Sequence, residues 1–297
     1  MTDTAAASPE PTIPPPLAEP RRPRLRLPPG SCDSHCHVFG PHHRFPYAAG
    51  RSFTPHDMPE ARLRGLHDHL GFDRAVIVQS ACHGTDHAAL VDALRTGAGR
   101  YRGVALLGAA PTAGDVLALH EAGVRGARFN FLPHLGGYPP ESLIRHVERL
   151  VEPHGWHFAI HVTGADLIAC EALIRSIRAP VVIDHMARFD IRDGLAGQAF
   201  TTLLRLLDGG RIALKLSGID RLSRQGPPYD DALPFARALA AHAPGQVVWG
   251  TDWPHPNLHG PMPDDGELVD LIAAIAPNEA ARHQLLVANP ARLFGFD

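Results

Sequence analysis

The sequence predicts an α/β protein folded as a TIM (β/α)8 barrel. Three observations carry the prediction. Eight short runs are rich in Val, Ile, Leu and Ala, helix-length segments separate them, and almost every run ends on a polar or ionisable residue. A doubly wound open sheet is the competing architecture. It usually has fewer strands, and no glycine-rich phosphate loop follows the first run.

Residues 1–29 are dense in proline, which forbids helix and sheet and favours an extended chain. They are expected to form a disordered tail, leaving residues 30–297 as a single barrel domain. The strand candidates follow in order: "SCDSH" (31–35), "AVIVQ" (75–79), "GVALL" (103–107), "GARFN" (126–130), "FAIHV" (158–162), "VVIDH" (181–185), "IALKLS" (212–217) and "VVWGTD" (247–252). Several are nearly continuously apolar, the pattern of strands buried on both faces. Between them, "DHAALVDALRTGAG", "GDVLALHEAG", "ADLIACEALIRSI" and "DDALPFARALAAHA" repeat apolar residues at three- and four-residue spacing, with Gly or Pro at their ends. Two more helices are expected across "DDGELVDLIAAIA" and "NEAARHQLLVAN".

Composition narrows the function classes. The 297 residues are 44% hydrophobic, enough for a large core. A net charge of -3 without a basic block leaves no electrostatic footprint for nucleic acid. No apolar run approaches the roughly 20 residues that span a bilayer, and no basic stretch followed by an apolar one marks a secretory signal. Cys32, Cys36, Cys82 and Cys170 have neither zinc-knuckle nor disulfide-framework spacing. They read as reduced thiols in a cytoplasmic protein, packed in the core. Monomer and homodimer both remain open.

A barrel places its chemistry at the C-terminal ends of its strands. The first run delivers His35 and His37, the second Gln79, Ser80 and His83, and the fourth Arg128 and Asn130. The fifth carries His161, the sixth Asp184 and His185, the seventh leads to Ser217 and Arg221, and the eighth ends in Asp252. Strand alternation puts His35 and His37 on one face and Cys32, Ser34 and Cys36 on the other. A lone strand histidine is usually structural, but His35, His37, His161, His185 and Asp252 in one mouth would be a costly way to fill a core. Imidazoles and a carboxylate suit a borderline divalent ion such as Zn²⁺, which lowers the pKa of bound water. Asp252 could take that water's proton, and His185 could orient the water or polarise a carbonyl. Arg128, Arg221 and Arg188 lie near the mouth, where guanidinium forks match carboxylate or sulfonate groups. Each could instead pair with a loop acid.

"DSHCHVFGP", "VIVQSACHGTD", "GARFNFL", "VVIDHMARFD" and "VVWGTDWPHPN" together resemble the amidohydrolase superfamily, from about residue 29 to the C-terminus. Within it the likeness is to the branch of the pyrone dicarboxylate and muconolactone hydrolases. The resemblance implies a distorted (β/α)8 barrel that opens the ring ester of a small anionic lactone from aromatic-compound breakdown. It puts His35, His37, His185 and Asp252 on catalytic positions, with Asp252 as general base, and Arg128 and Arg221 on substrate-carboxylate positions. His83 and Asn257 fall in matching motifs and are expected to line the pocket.

The chain departs from that branch at three places. His161 stands where the pyrone hydrolases have a fifth-strand tyrosine, His134 lies where they have an arginine, and Phe53 replaces a tyrosine. That branch is described as working without metal. His161 restores the metal set of the wider superfamily, so a single Zn²⁺ or similar ion is expected on His35, His37, His161 and Asp252, with His185 catalytic. Two rivals keep the barrel: a metal-dependent decarboxylase of an unsaturated acid, and a sugar lactonase or isomerase. A third is a non-catalytic barrel that only binds an acidic ligand.

Overall fold

The structure is a computed structural model that describes residues 10–297. Eight parallel strands follow one another in chain order: β1 (Cys32–Cys36), β2 (Arg74–Val78), β3 (Tyr101–Ala105), β4 (Val124–Asn130), β5 (His157–His161), β6 (Val181–Ile183), β7 (Ile212–Lys215) and β8 (Val247–Val248). All eight apolar runs become strands. The helices between them are α1 (Glu60–Leu70), α2 (Ala88–Thr96), α3 (Ala113–Glu121), α4 (Glu141–Val151), α5 (Gly164–Ser176) and α6 (Gln198–Leu207). After β7 come α7 (Ile219–Leu222) and α8 (Leu233–His242), and after β8 come α9 (Asp265–Ile275), α10 (Glu279–His283) and α11 (Asn289–Phe294). A π-helical turn at Gln284–Ala288 joins the last two, so "NEAARHQLLVAN" is one bent helical run. Thr112 and Thr163 start α3 and α5 with reciprocal capping boxes to Asp115 and Asp166.

The barrel floor is apolar. Cys32, Val76, Val78, Val104, Ala159, Val182, Ala213 and Val248 pack together, closed from below by Phe294 and Phe296. Strand alternation then aims Ser80, His161, Asp184 and Lys215 into the same interior, nearer the mouth. β1 departs from simple alternation. Its pairing shifts from Asp33↔Ala75 to Cys36↔Ile77, so it carries one extra residue against β2. This bulge lets Cys32 and His35 both face inward, while Cys36 packs outward in the larger core cluster. The expectation that Cys32 packs outside with Cys36 is therefore corrected by a bulge that no residue pattern announces.

No strand ladder joins β8 to β1. The seam is closed instead by Ser34 N donating to Trp249 O (2.8 Å), Asp252 N to His35 O (2.8 Å) and His37 N to Trp253 O (2.8 Å). The buried Asp33 carboxylate completes it. Oδ1 accepts from His35 N (3.1 Å) and Thr251 N (3.0 Å), and Oδ2 from Thr251 Oγ1 (2.6 Å) and His67 Nε2 (3.1 Å). Gly250 permits this approach, since a Cβ there would lie 2.6 Å from His35 N.

Residues 10–29 form no helix or strand, yet they lie against the barrel. Thr12 N donates to Thr54 O (2.9 Å) and Ile13 is buried. Asp270 accepts from Arg21 Nη1 (2.7 Å) and Leu25 N (2.9 Å), while His69 Nε2 donates to Pro20 O (2.8 Å). This part of the segment set apart in sequence is a strap. Residues 1–9 lie outside the described residues. Among the described residues, no helix is long and apolar enough to cross a membrane.

Asp33→Ala leaves the Thr251 and His35 amides without their acceptor in a dry seam. We expect it to lower the unfolding free energy by roughly 3 kcal/mol or more in a urea titration. A loss below about 1 kcal/mol would show that the seam closes without the carboxylate.

Candidate active site

The mouth gathers side chains from seven of the eight strand ends, all but that of β3. His37, Arg128, His161, His185, Arg188, Arg221, Asp252 and Asn257 line one cavity, together with Phe53, Ser80, Ala81, His134, Leu135 and Pro256. His35 lies just beneath, fully buried. Of the other residues singled out from sequence, Gln79, Asn130, Asp184 and Ser217 lie outside this lining, and so does His83. Its Nδ1 donates to Pro46 O (3.2 Å) and its Nε2 accepts from Gly40 N (3.3 Å), so both nitrogens are used in holding the loop after β1.

Asp252 is the focus. Its Oδ2 accepts from Arg221 Nε (2.9 Å) and Nη2 (2.8 Å). Its Oδ1 lies 3.3 Å from His37 Nε2, 3.7 Å from His35 Nε2 and 3.9 Å from His185 Nε2. One oxygen is thus clamped and the other faces three imidazoles. Burial opposes the charge, but Arg221 and His185 outweigh it and hold Asp252 well below the usual carboxylate range. Burial, with the Lys215 ammonium beside it, pushes His35 down to about 3. Burial also takes His161 and His185 well below an ordinary histidine, so these three rings are neutral at pH 7. Arg221 Nη2 also donates to Pro256 O (3.0 Å), which anchors the loop beyond Asp252.

The backbone is strained where the chemistry gathers. His185, Met186, Ala187 and Arg188 all have positive φ, as do Asp252 and Asn257. For non-glycine residues the left-handed region costs roughly 1–2 kcal/mol each. Such strain persists where surrounding structure over-determines it, as it does at functional sites.

Behind the mouth lies a buried charge cluster of Arg128, Asp184 and Lys215, of which the sequence reading missed Lys215. Asp184 Oδ2 accepts from Arg128 Nε (3.0 Å), and its Oδ1 lies 3.2 Å from Lys215 Nζ. Lys215 is fully buried and its Nζ lies 3.1 Å from His35 Nδ1. A signal was present, because "IALKLS" places a lysine inside an otherwise apolar strand. Ser217 Oγ and His185 Nδ1 share a hydrogen bond (2.9 Å), and His161 Nδ1 donates to Asn130 Oδ1 (3.1 Å).

The set can be tested against a metal ion. One ligand atom each from His35, His37 and Asp252 lie within 4.8 Å of one another, all buried, and His35 Nε2 has no hydrogen-bond partner. The donor types suit a divalent cation. His161 joins none of the sets of three ligands gathered this closely among the described residues. Its Nε2 has no hydrogen-bond partner among the described residues, and its ring centroid lies 5.3 Å from that of His185. The expected four-ligand set is thus brought together in three of its members.

The amidohydrolase family model matches residues 32–296. The chain belongs to the amidohydrolase family. It is 42% identical to the 2-pyrone-4,6-dicarboxylate hydrolase of Comamonas testosteroni, over 93% of this chain and 94% of that one. It is 39% identical to the 4-sulfomuconolactone hydrolase of Rhizobium radiobacter, over 91% of each. A solved structure from Agrobacterium tumefaciens in its apo form superposes with a TM-score of 0.83 at 32% identity, covering 93% of this chain and 99% of that one. This amidohydrolase therefore shares its whole barrel, and not a local motif, with hydrolases of anionic lactones.

Two buried rings make stability pH-dependent. His35 and His157 are both pushed to about 3, His157 chiefly by burial and then by Lys215. Below pH 6.5 the unfolded chain takes up protons that these folded rings refuse, so stability falls as pH falls towards 3. Each ring removes up to roughly 1.4 kcal/mol per pH unit in that window. Urea titrations at pH 7 and pH 5 should differ by at least about 2 kcal/mol, with pH 5 the weaker. Equal midpoints and slopes would mean that the two rings protonate in place.

Proposed function

We propose that this amidohydrolase opens the ring ester of a small dianionic lactone, of the pyrone dicarboxylate or sulfomuconolactone type. The observation that carries the reading is the charge of the mouth. Arg128, Arg188, Arg221 and Lys215 stand against Asp184 and Asp252, with the buried Asp220 carboxyl nearby, whose pKa burial raises. Arg188 has no carboxylate within ion-pair distance among the described residues, although burial, then Arg221, lowers its pKa. A surplus of positive charge in a poorly solvated cavity wants an anion. The names of the two curated relatives specify two such anions.

The chain's residues then divide the work. Arg188 and the free guanidinium nitrogens of Arg128 bind the acidic groups. Asp252 Oδ1 takes a proton from water as the water oxygen attacks the ring carbonyl carbon. His35, with His185 beside it, faces the carbonyl oxygen, which gains negative charge as the tetrahedral intermediate forms. The ring C–O bond then breaks, and the leaving oxygen takes the proton back from Asp252. Arg221 fixes Asp252 so that only Oδ1 turns to the water. If a divalent ion such as zinc is bound, His35, His37 and Asp252 would hold it, and it would supply Lewis acidity to the carbonyl and a more acidic water. His134, His161 and Phe53 replace hydroxyl and guanidinium groups of the pyrone hydrolases, which supports the sulfonated or carboxylated muconolactones as substrates. Four free, buried cysteines support a reducing, cytoplasmic setting.

Ultraviolet absorbance over time, with pyrone dicarboxylate and carboxylated and sulfonated muconolactones, should show ring opening. Loss of absorbance change across the whole panel would sink the reading. Asp252→Asn should cost about 10²–10⁴ in kcat with the fold retained, and near-normal turnover would remove Asp252 as base. Arg188→Met should raise KM about tenfold or more at similar kcat, whereas an unchanged KM would make Arg188 structural.

A further inference from the structure

Lys215 has no role in the reading above beyond its charge, yet its position is specific. It closes β7, where Ile212 and Leu214 pack outward and Ala213 fills the barrel floor. A fully buried ammonium is costly unless it is paired and hydrogen-bonded. Nζ has two polar neighbours: Asp184 Oδ1 at 3.2 Å and His35 Nδ1 at 3.1 Å. Hydrogen-bond geometry is met at His35, while Asp184 Oδ1 accepts no hydrogen bond.

We propose that Lys215 is a positioning residue that holds the proton of His35 on Nε2, aiming that N–H at the ring carbonyl and denying the nitrogen to a metal ion. An ammonium has three donors and no acceptor. The His35 nitrogen it faces must therefore present a lone pair, and a neutral ring with a lone pair on Nδ1 carries its proton on Nε2. Nε2 has no hydrogen-bond partner among the described residues and lies just beneath the cavity, 3.7 Å from Asp252 Oδ1. His37 is set the other way. Its Nδ1 lies 2.6 Å from the Val78 carbonyl, an acceptor only, so Nδ1 carries a proton, while its Nε2 faces Asp252 Oδ1 at 3.3 Å. The two histidines of one motif thus turn Nδ1 to opposite groups, a donor at His35 and an acceptor at His37. A shared ion would need a lone pair on both Nε2 atoms, and Lys215 takes one away. Without Lys215, His35 Nδ1–H can turn to Asp184 Oδ1, 3.4 Å away, which frees Nε2 as a ligand.

This inference rests on the lactonase reading only for the identity of the carbonyl. The test begins with ring-nitrogen NMR of the full chain, labelled at histidine and treated with chelator, with His35 assigned by its loss in His35→Gln. The wild type should show His35 as the Nε2–H tautomer, and Lys215→Met as Nδ1–H. Zinc titration of Lys215→Met should show affinity at least about tenfold tighter than the wild type. Its kcat should fall on the order of a hundredfold with KM within about twofold, as for loss of a donor to a developing oxyanion. An Nδ1–H tautomer in the wild type overturns the proposal, even if Lys215→Met does not fold. So does an unchanged His35 signal in a folded Lys215→Met, which would make the lysine a mere counter-ion of Asp184. Nε2–H in the wild type with no lactone opened would overturn the assignment to the carbonyl and leave the tautomer lock standing.

Discussion

The site exists because the barrel closes on itself through one buried carboxylate. His35 and His37 lie near the start of the domain and Asp252 lies more than two hundred residues later. They meet only where β1 runs beside the chain leaving β8, and no regular ladder forms there. Asp33 supplies the missing acceptors, binding the Thr251 amide and hydroxyl from one side of the seam and the His35 amide from the other. In a dry interior such a group is stable only when its lone pairs are filled, and four donors fill them. The same contacts fix the bulge that turns His35 inward. Closure and catalytic geometry are therefore one arrangement.

Around that seam, charge is layered by depth. The floor is aliphatic and aromatic. Above it sits the triad of Lys215, Asp184 and Arg128, fully or nearly removed from water. Above that, three imidazoles surround one oxygen of Asp252. In a medium of low dielectric each charge fixes the proton positions of its neighbours. The arginines serve two ends: Arg128 and Arg221 hold protein carboxylates while lining the cavity, whereas Arg188 has no ion-pair partner among the described residues. An anionic ligand would supply it.

The left-handed backbone at His185–Arg188 and at Asp252 belongs to the same design. Those residues leave their strands abruptly, so that histidine, arginine and aspartate side chains reach the mouth instead of continuing along a helix axis. The strain is carried by the surrounding packing: Met186 and Ala187 are fully buried in the core.

Much of this was legible in the sequence. Short runs rich in Val, Ile, Leu and Ala, punctuated by helix-length segments, match strands buried on both faces, so all eight strands were readable, and barrel architecture then put His161, Asp184, His185, Arg221 and Asp252 at one end. Family motifs added the chemistry of His35 and His37. The sequence could not show the bulge in β1, because one extra residue changes which face a side chain takes without altering composition. Nor could it show that His161 joins no close set with His35, His37 and Asp252, that His83 spends both nitrogens on a loop, or that residues 10–29 strap the barrel through Asp270. Those outcomes depend on distances of a few tenths of an ångström between segments far apart in the chain. The surroundings of His35 and His37 are the extreme case: identical residues, two apart, whose Nδ1 atoms meet an ammonium at one and a backbone carbonyl at the other.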